Sequence, residues 1–280
     1  MTTSISTCIA DGSYFATPDF LHITAHIMTA IGTPIHVFGA WVILFRTPGS
    51  MASVKWPLLN LHFWSSLFDT ILCLLSTPVA LFPAIAMYFM GALTYFGVPD
   101  WLQCHILLTA VGIVIVAMIT VYENRYFMVT FVAKTGFWAR WRCYFLTGAY
   151  FIGATFLIPF TATIPNQNLV LEYVFQRIPC LTIPKDRIFV YTFNLSLAFF
   201  VCLFLLITAF LIIGIFIFLT IRNLLKNTKN GWQSKKTLRL QKKFLFCLVV
   251  QTSVPVVVVL SPISYLGFSI VKNYYNQGNF

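Results

Sequence analysis

Charge is what this chain has least of: only 9% of its 280 residues are Asp, Glu, Lys or Arg, against about 25% in an ordinary soluble domain. With 59% hydrophobic residues, too few polar side chains remain to coat a globule in water, so a soluble domain is excluded. Lipid removes the need for such a coat. Disorder is excluded by the same hydrophobicity. Apolar–polar alternation over about 10 residues, the mark of a membrane barrel, is missing; blocks such as LFLLITAFLIIGIFIFL are apolar on every face. Internal repeats and low-complexity segments are missing too. The residues before Phe20 contain Asp11 and Asp19 but no cation and no apolar core, so no cleaved leader is expected and the first span directs its own insertion.

The remaining fold class is all-α, a polytopic membrane helix bundle. Apolar runs of about 20 residues, enough to cross roughly 30 Å of hydrocarbon, fall at approximately 20–45, 58–87, 102–130, 144–164, 188–221 and 244–268. Cytoplasmic loops are enriched in Lys and Arg, and alternate connections here hold fourteen of the eighteen cations: Arg46 and Lys55, then Arg125, Lys134, Arg140 and Arg142, then the eight between Arg222 and Lys243. The opposite side holds Asp11, Asp19, Asp100, Glu172 and Asp186 against Arg177, Lys185, Arg187 and Lys272. The amino terminus is therefore expected outside the cell. Six crossings also place Lys272 to Phe280 outside, where KNYYNQGNF reads like the start of a connection to a further helix.

Asp69 lies about halfway along the second span, where an ionised carboxylate is costly unless paired, protonated or wetted. It reads either as the anchor of a polar network or cation, or as a protonated carboxyl that holds packing together. Cys104 opens the third span on its outer side and Cys180 lies in the longest outer loop. Both face an oxidising compartment and form a candidate disulfide, with Cys8 a competing outer thiol. Glu123-Asn124-Arg125-Tyr126 closes the third span at the inner face. An acid and a base two residues apart can act as a latch in a two-state element; the plainer reading is an interfacial Arg reaching lipid phosphate. Pro255 breaks the sixth span, and Gln251, one turn earlier, can bond the carbonyl that proline frees, which makes the pair a candidate hinge.

No catalytic or metal constellation emerges, and neither a cofactor nor an enzyme activity is expected. His22 and His26 are four apart on one helical face, but no second His box or H-E-x-x-H follows, and no G-x-S-x-G elbow occurs. The basic segment KNTKNGWQSKKTLRLQKK fits the orientation rule and attraction to anionic membrane lipid rather than nucleic acid.

Several motifs together resemble the nematode serpentine chemoreceptors of class H, a branch of the seven-helix G-protein-coupled receptors. They are TPIHVFGAWVILFRTPGSMASVKWPLLNLHFWSSLFD from Thr33 to Asp69, ENRY from Glu123, IPNQ from Ile164, IPCL from Ile178 and LQKKFLFCLVVQTSVP from Leu240. The resemblance implies a bundle of rhodopsin-like receptor type in the plasma membrane, a chemosensory role and a heterotrimeric G-protein partner. It also implies a switch at Glu123 and Arg125. The chain departs from rhodopsin-like receptors in having Glu-Asn-Arg as its switch triplet and no tryptophan motif before the sixth-helix proline. The family's seventh helix has no counterpart before Phe280, which raises the expectation of a truncated, non-signalling form. A small-molecule ligand is expected in the outer half between the third, fifth and sixth helices, near His105, Tyr191 and Tyr265, with the inner loops forming the G-protein surface. The competing reading is a six-span channel or transporter subunit, against which stand the missing pore hairpin and inverted repeat.

Overall fold

The computed structural model describes residues 14, 17–47, 52–81, 86–130, 136–177, 187–192, 195–231 and 234–272. Its long helices are α1 (Pro18–Phe45), α2 (Ala52–Thr70), α4 (Asp100–Val129), α5 (Phe137–Thr155), α8 (Leu195–Lys229) and α9 (Lys235–Lys272). Short helices α3 (Ala92–Tyr95), α6 (Ile158–Thr161) and α7 (Gln167–Arg177) lie in the connections, with strands β1 (Pro78–Leu81), β2 (Ala86–Phe89) and β3 (Phe189–Val190). Among the described residues, five helical segments are long and apolar enough to cross a membrane: Pro18–Phe45, Ser53–Ser76, Asp100–Val129, Phe137–Thr161 and Phe199–Lys229. The stretch expected as a sixth span lies within α9.

Local chemistry sets the ends of these helices. The Thr17 hydroxyl caps α1 by accepting from the Phe20 amide at 3.3 Å, and Pro18 occupies the first turn, where its missing N–H costs nothing. The second apolar run does not stay helical to Met87. After α2 the chain widens into a π-helical turn, Ile71–Ser76, and stops at Thr77, whose φ is 40°. Pro78 explains the stop: it has no N–H to continue the ladder, and its ring disfavours helical backbone at the residue before it. Instead Pro78–Leu81 pairs antiparallel with Ala86–Phe89. The fifth run likewise begins with strand β3 rather than helix, pairing Val190 with Ala86 and Phe189 with Met87. The fourth breaks after Thr155 and resumes at Ile158 with Pro159 in its first turn.

The small sheet closes the end of the bundle opposite Glu123, here termed the outer end. Because side chains alternate across a strand, one face of β2 turns Ala86 and Tyr88 toward Val79, Leu81 and the α7 pair Val170 and Val174. The other face turns Met87 and Phe89 toward Phe189, Tyr191 and Cys104, the last at the start of α4. Gln167 locks the edge: its Oε1 accepts from the Val190 amide at 3.0 Å and its Nε2 donates to the Val190 carbonyl at 3.1 Å. A side-chain amide thus stands in for the next strand, leaving neither edge group orphaned. Burial pushes the Tyr88 phenol up to about 12, helped by the negative charge of Asp19, so the sheet's one phenol stays neutral.

Helix α4 is the axle, packed against α2, α5 and α8. Where α4 crosses α5, Gly112 faces Gly153, and a Cβ on Gly112 would lie 2.7 Å from the Gly153 carbonyl oxygen. Small residues let backbones approach where lipid supplies no hydrophobic drive between helices. The outward face of α8 is consistent with lipid: Phe200, Phe204, Ile207, Leu211, Ile215 and Phe218 are exposed at helical spacing, while Ala209, Phe216 and Leu224 are buried. Such a stripe is an aggregation surface in water and an ordinary surface in a bilayer.

Candidate functional site: an inner polar lock beneath a bundle cavity

At the inner end of α4 the Glu123 side chain is fully buried (0% exposed) and Asn124 and Arg125 nearly so. A carboxylate there requires partners, and α5 supplies both. Trp138 Nε1 donates to Oε1 at 2.8 Å, and Arg142 Nε donates to Oε2 at 2.9 Å. Trp138 and Arg142 are four residues apart, hence on one helical face. Arg142 also donates through Nη2 to Asn124 Oδ1 at 2.9 Å, and Asn124 in turn donates to the Ser53 carbonyl on α2 at 3.0 Å. One network therefore joins α2, α4 and α5.

Arg125 is outside that network. Its guanidinium lies over the Phe244 ring of α9, 4.1 Å from the centroid, and it forms no ion pair among the described residues. The latch drawn between Glu123 and Arg125 from their spacing is therefore not the pairing adopted; helix positions two apart diverge by about 200°, which sends these two side chains to α5 and α9. Tyr126 packs on the cluster of Trp138, Phe145 and Phe216.

Above this lock lies a cavity of about 450 Å³ between α2, α4, α8 and α9. Its walls are mostly aliphatic and aromatic, with polar atoms from His62, Ser65, Asp69, Gln251 and Thr252. Asp69 is half exposed into open space (53%), and its Oδ2 lies 3.1 Å from His36 Nε2 on α1. His62 holds the His36 carbonyl at 2.8 Å, completing a polar cluster across α1 and α2. Thr252 belongs to both features. It lines the cavity, and its Oγ1 shares a 2.6 Å hydrogen bond with the Tyr122 hydroxyl, the residue preceding Glu123.

Over residues 16–280 the chain matches the family described as serpentine type 7TM GPCR chemoreceptor Srh. It belongs to that family. The receptor is also 27% identical over 265 residues to serpentine receptor class H-72 of Caenorhabditis elegans, an alignment covering 91% of this chain and 75% of that relative. No solved structure matches it. As a member of a receptor family, it is a multi-pass membrane protein of the G-protein-coupled chemoreceptor type, and the channel or transporter reading is not favoured.

Other expected site residues of the receptor are placed as follows. Tyr191 packs with Phe89 and Phe189 of the sheet, neither it nor His105 is on the cavity wall, and His105 Nδ1 and the Tyr191 hydroxyl are buried without a hydrogen-bond partner among the described residues. The side chains of Tyr265 and Pro255 lie outside the described residues, as does Cys180. Cys104 is buried beside Phe89 and Tyr191. Gln251 lines the cavity, and α9 runs helical through that turn. Sequence reasoning did not pair Glu123 with Trp138 and Arg142, nor Asp69 with His36. One signal was present: Asp69 and Glu123 are the two acids inside the apolar runs, and each required a partner.

Proposed function

We propose that this receptor detects a small molecule in the cavity between α2, α4, α8 and α9 and transmits occupancy to a heterotrimeric G protein at the inner end. It does so from the plasma membrane with its amino terminus outside. The observation that carries the reading is the α4–α9 seam. Thr252 lines the cavity and bonds Tyr122, and Phe244, eight residues or about 12 Å along the same helix, underlies Arg125. A ligand that favours one setting of α9 against α4 changes the Tyr122–Thr252 contact and the seat of Arg125 together, and it acts only through differential affinity for the two settings.

Glu123, Asn124 and Arg142 form the fixed half of the switch, Arg125 faces its moving half, and Tyr126 packs on α5 and α8. The basic positions Arg140 and Lys235 to Lys243 supply the surface for G protein and anionic lipid. Arg46 over Trp41 and Lys55 over Trp56, at 5.1 and 5.8 Å, support an interfacial belt at the inner side. Cys104 is proposed to pair with Cys180 above the bundle, and Gln251 with Pro255 to form the point where α9 bends.

The test is nucleotide exchange on heterotrimeric G proteins by receptor in lipid nanodiscs, challenged with small volatile alcohols, ketones, acids and amines. At least one class is expected to raise exchange, and Ala209→Phe, which fills the cavity, to remove the response while leaving surface expression. Exchange unaffected by any class with any subtype, or a response that survives Ala209→Phe, contradicts the reading.

A further inference from the structure

We infer that the cavity selects ligands carrying a protonated amine, with the Asp69 carboxylate as counter-ion. The inference rests on the cavity being the ligand site. Among the described residues no Lys or Arg lines that cavity, and Asp69 is its one carboxylate. The carboxyl group is partnered on one side only. His36 Nε2 engages Oδ2 at 3.1 Å, while Oδ1 has no partner among the described residues and the side chain opens into the empty volume.

His36 Nε2 holds Oδ2 and so fixes the carboxyl orientation, leaving Oδ1 open to a second donor. An ionised carboxylate in a low-dielectric bundle is costly until donors and cations compensate it, and an occupant's ammonium supplies both at the open Oδ1. A charge-assisted N–H to O bond is also about twice as strong as a neutral one. The remaining wall sets the rest of the ligand. Leu61, Phe68, Val114, Met118, Phe210 and Ile213 present hydrocarbon and one aromatic edge after another, while Ser65 and Thr252 offer hydroxyls. The chemical class is a small primary or secondary amine on an alkyl or aryl body. A carboxylate is repelled by Asp69, and an alcohol of the same skeleton gains only a neutral hydrogen bond.

The experiment compares 2-phenylethylamine, 2-phenylethanol and phenylacetate on purified wild-type receptor in nanodiscs, by calorimetric titration and by labelling of Asp69 with dicyclohexylcarbodiimide read by mass spectrometry. The amine is expected to bind about tenfold more tightly than the alcohol, or more, and to protect Asp69 from labelling, whereas phenylacetate does neither. In Asp69→Asn the amine and alcohol should become equivalent, and Asp69→Glu should restore the preference. Equal affinity for amine and alcohol, labelling of Asp69 unaffected by the amine, or a preference that survives Asp69→Asn overturns the inference. Should Asp69→Asn fail to fold, protection of wild-type Asp69 still decides. An amine that protects Asp69 yet drives no nucleotide exchange counts against the signalling role and leaves this inference standing. Exchange driven by another class with no amine binding does the reverse.

Discussion

Glu123 and Arg142, nineteen residues apart on neighbouring helices, form a 2.9 Å ion pair in which the carboxylate is completely buried. A buried charge is stabilised only while its partners remain, and the loss of one partner typically costs about 3–5 kcal/mol. Arg142→Ala should therefore lower thermal stability strongly in detergent, by that order. Glu123→Gln in the same chain should recover much of the loss, because the orphaned charge is then gone. A double variant as unstable as Arg142→Ala alone would show that Arg142 acts through packing, including its stacking on Phe127.

Arg125 is seated differently. Its contact with Phe244 is a cation–π interaction worth about 0.5–2 kcal/mol, so Arg125→Ala should leave folding and surface expression nearly intact while abolishing G-protein coupling. Signalling at the wild-type level in a normally expressed Arg125→Ala receptor would remove Arg125 from the switch.

These two arginines show what the sequence could and could not convey. The apolar runs and the sorting of cations are local properties, and they lead directly to a membrane helix bundle. Partner choice is not local. Spacing alone offered Glu123 the nearby Arg125, whereas the helix turn sends Arg125 to α9 and lets α5 supply Arg142. The outer sheet was hidden for a related reason. An apolar run reads alike as buried strand or helix, and Pro78 is a stop that redirects the chain into β1. Asp69 was legible as an intramembrane acid, but its partner His36 lies on another helix, and the four helices that wall the cavity come together only in three dimensions.

The α4–α5 crossing offers a ranked prediction. A methyl group on Gly112 meets the Gly153 carbonyl oxygen at 2.7 Å, while one on Gly153 meets Val116 Cγ2 at 3.0 Å and the Gly112 oxygen at 3.3 Å. Backbone yields less readily than a side-chain methyl, so Gly112→Ala should destabilise more than Gly153→Ala, the larger effect being about 1–3 kcal/mol. Melting temperatures of the two variants check the order, and the reverse order would contradict the packing described.

Gln167→Leu removes both bonds to Val190, whose backbone is then left unpaired at a buried edge. The expected cost is about 1–3 kcal/mol, concentrated in the outer sheet. Hydrogen exchange at the Val190 amide should accelerate markedly while the core of α4 stays protected. Unchanged protection at Val190 would mean that the side-chain clamp does not hold this strand.

The central claim, that α9 shifts against the α4–α5 unit when the receptor engages its partner, is tested most directly by a spin-label distance between Arg140→Cys and Lys242→Cys. Cys143, Cys202 and Cys247, which are exposed, are first replaced by Ser. Both label sites are exposed at the inner end. The account predicts a longer distance with nucleotide-free heterotrimeric G protein bound than with the receptor alone, and no lengthening when Arg125 is Ala. An identical distance distribution with and without bound G protein would contradict it.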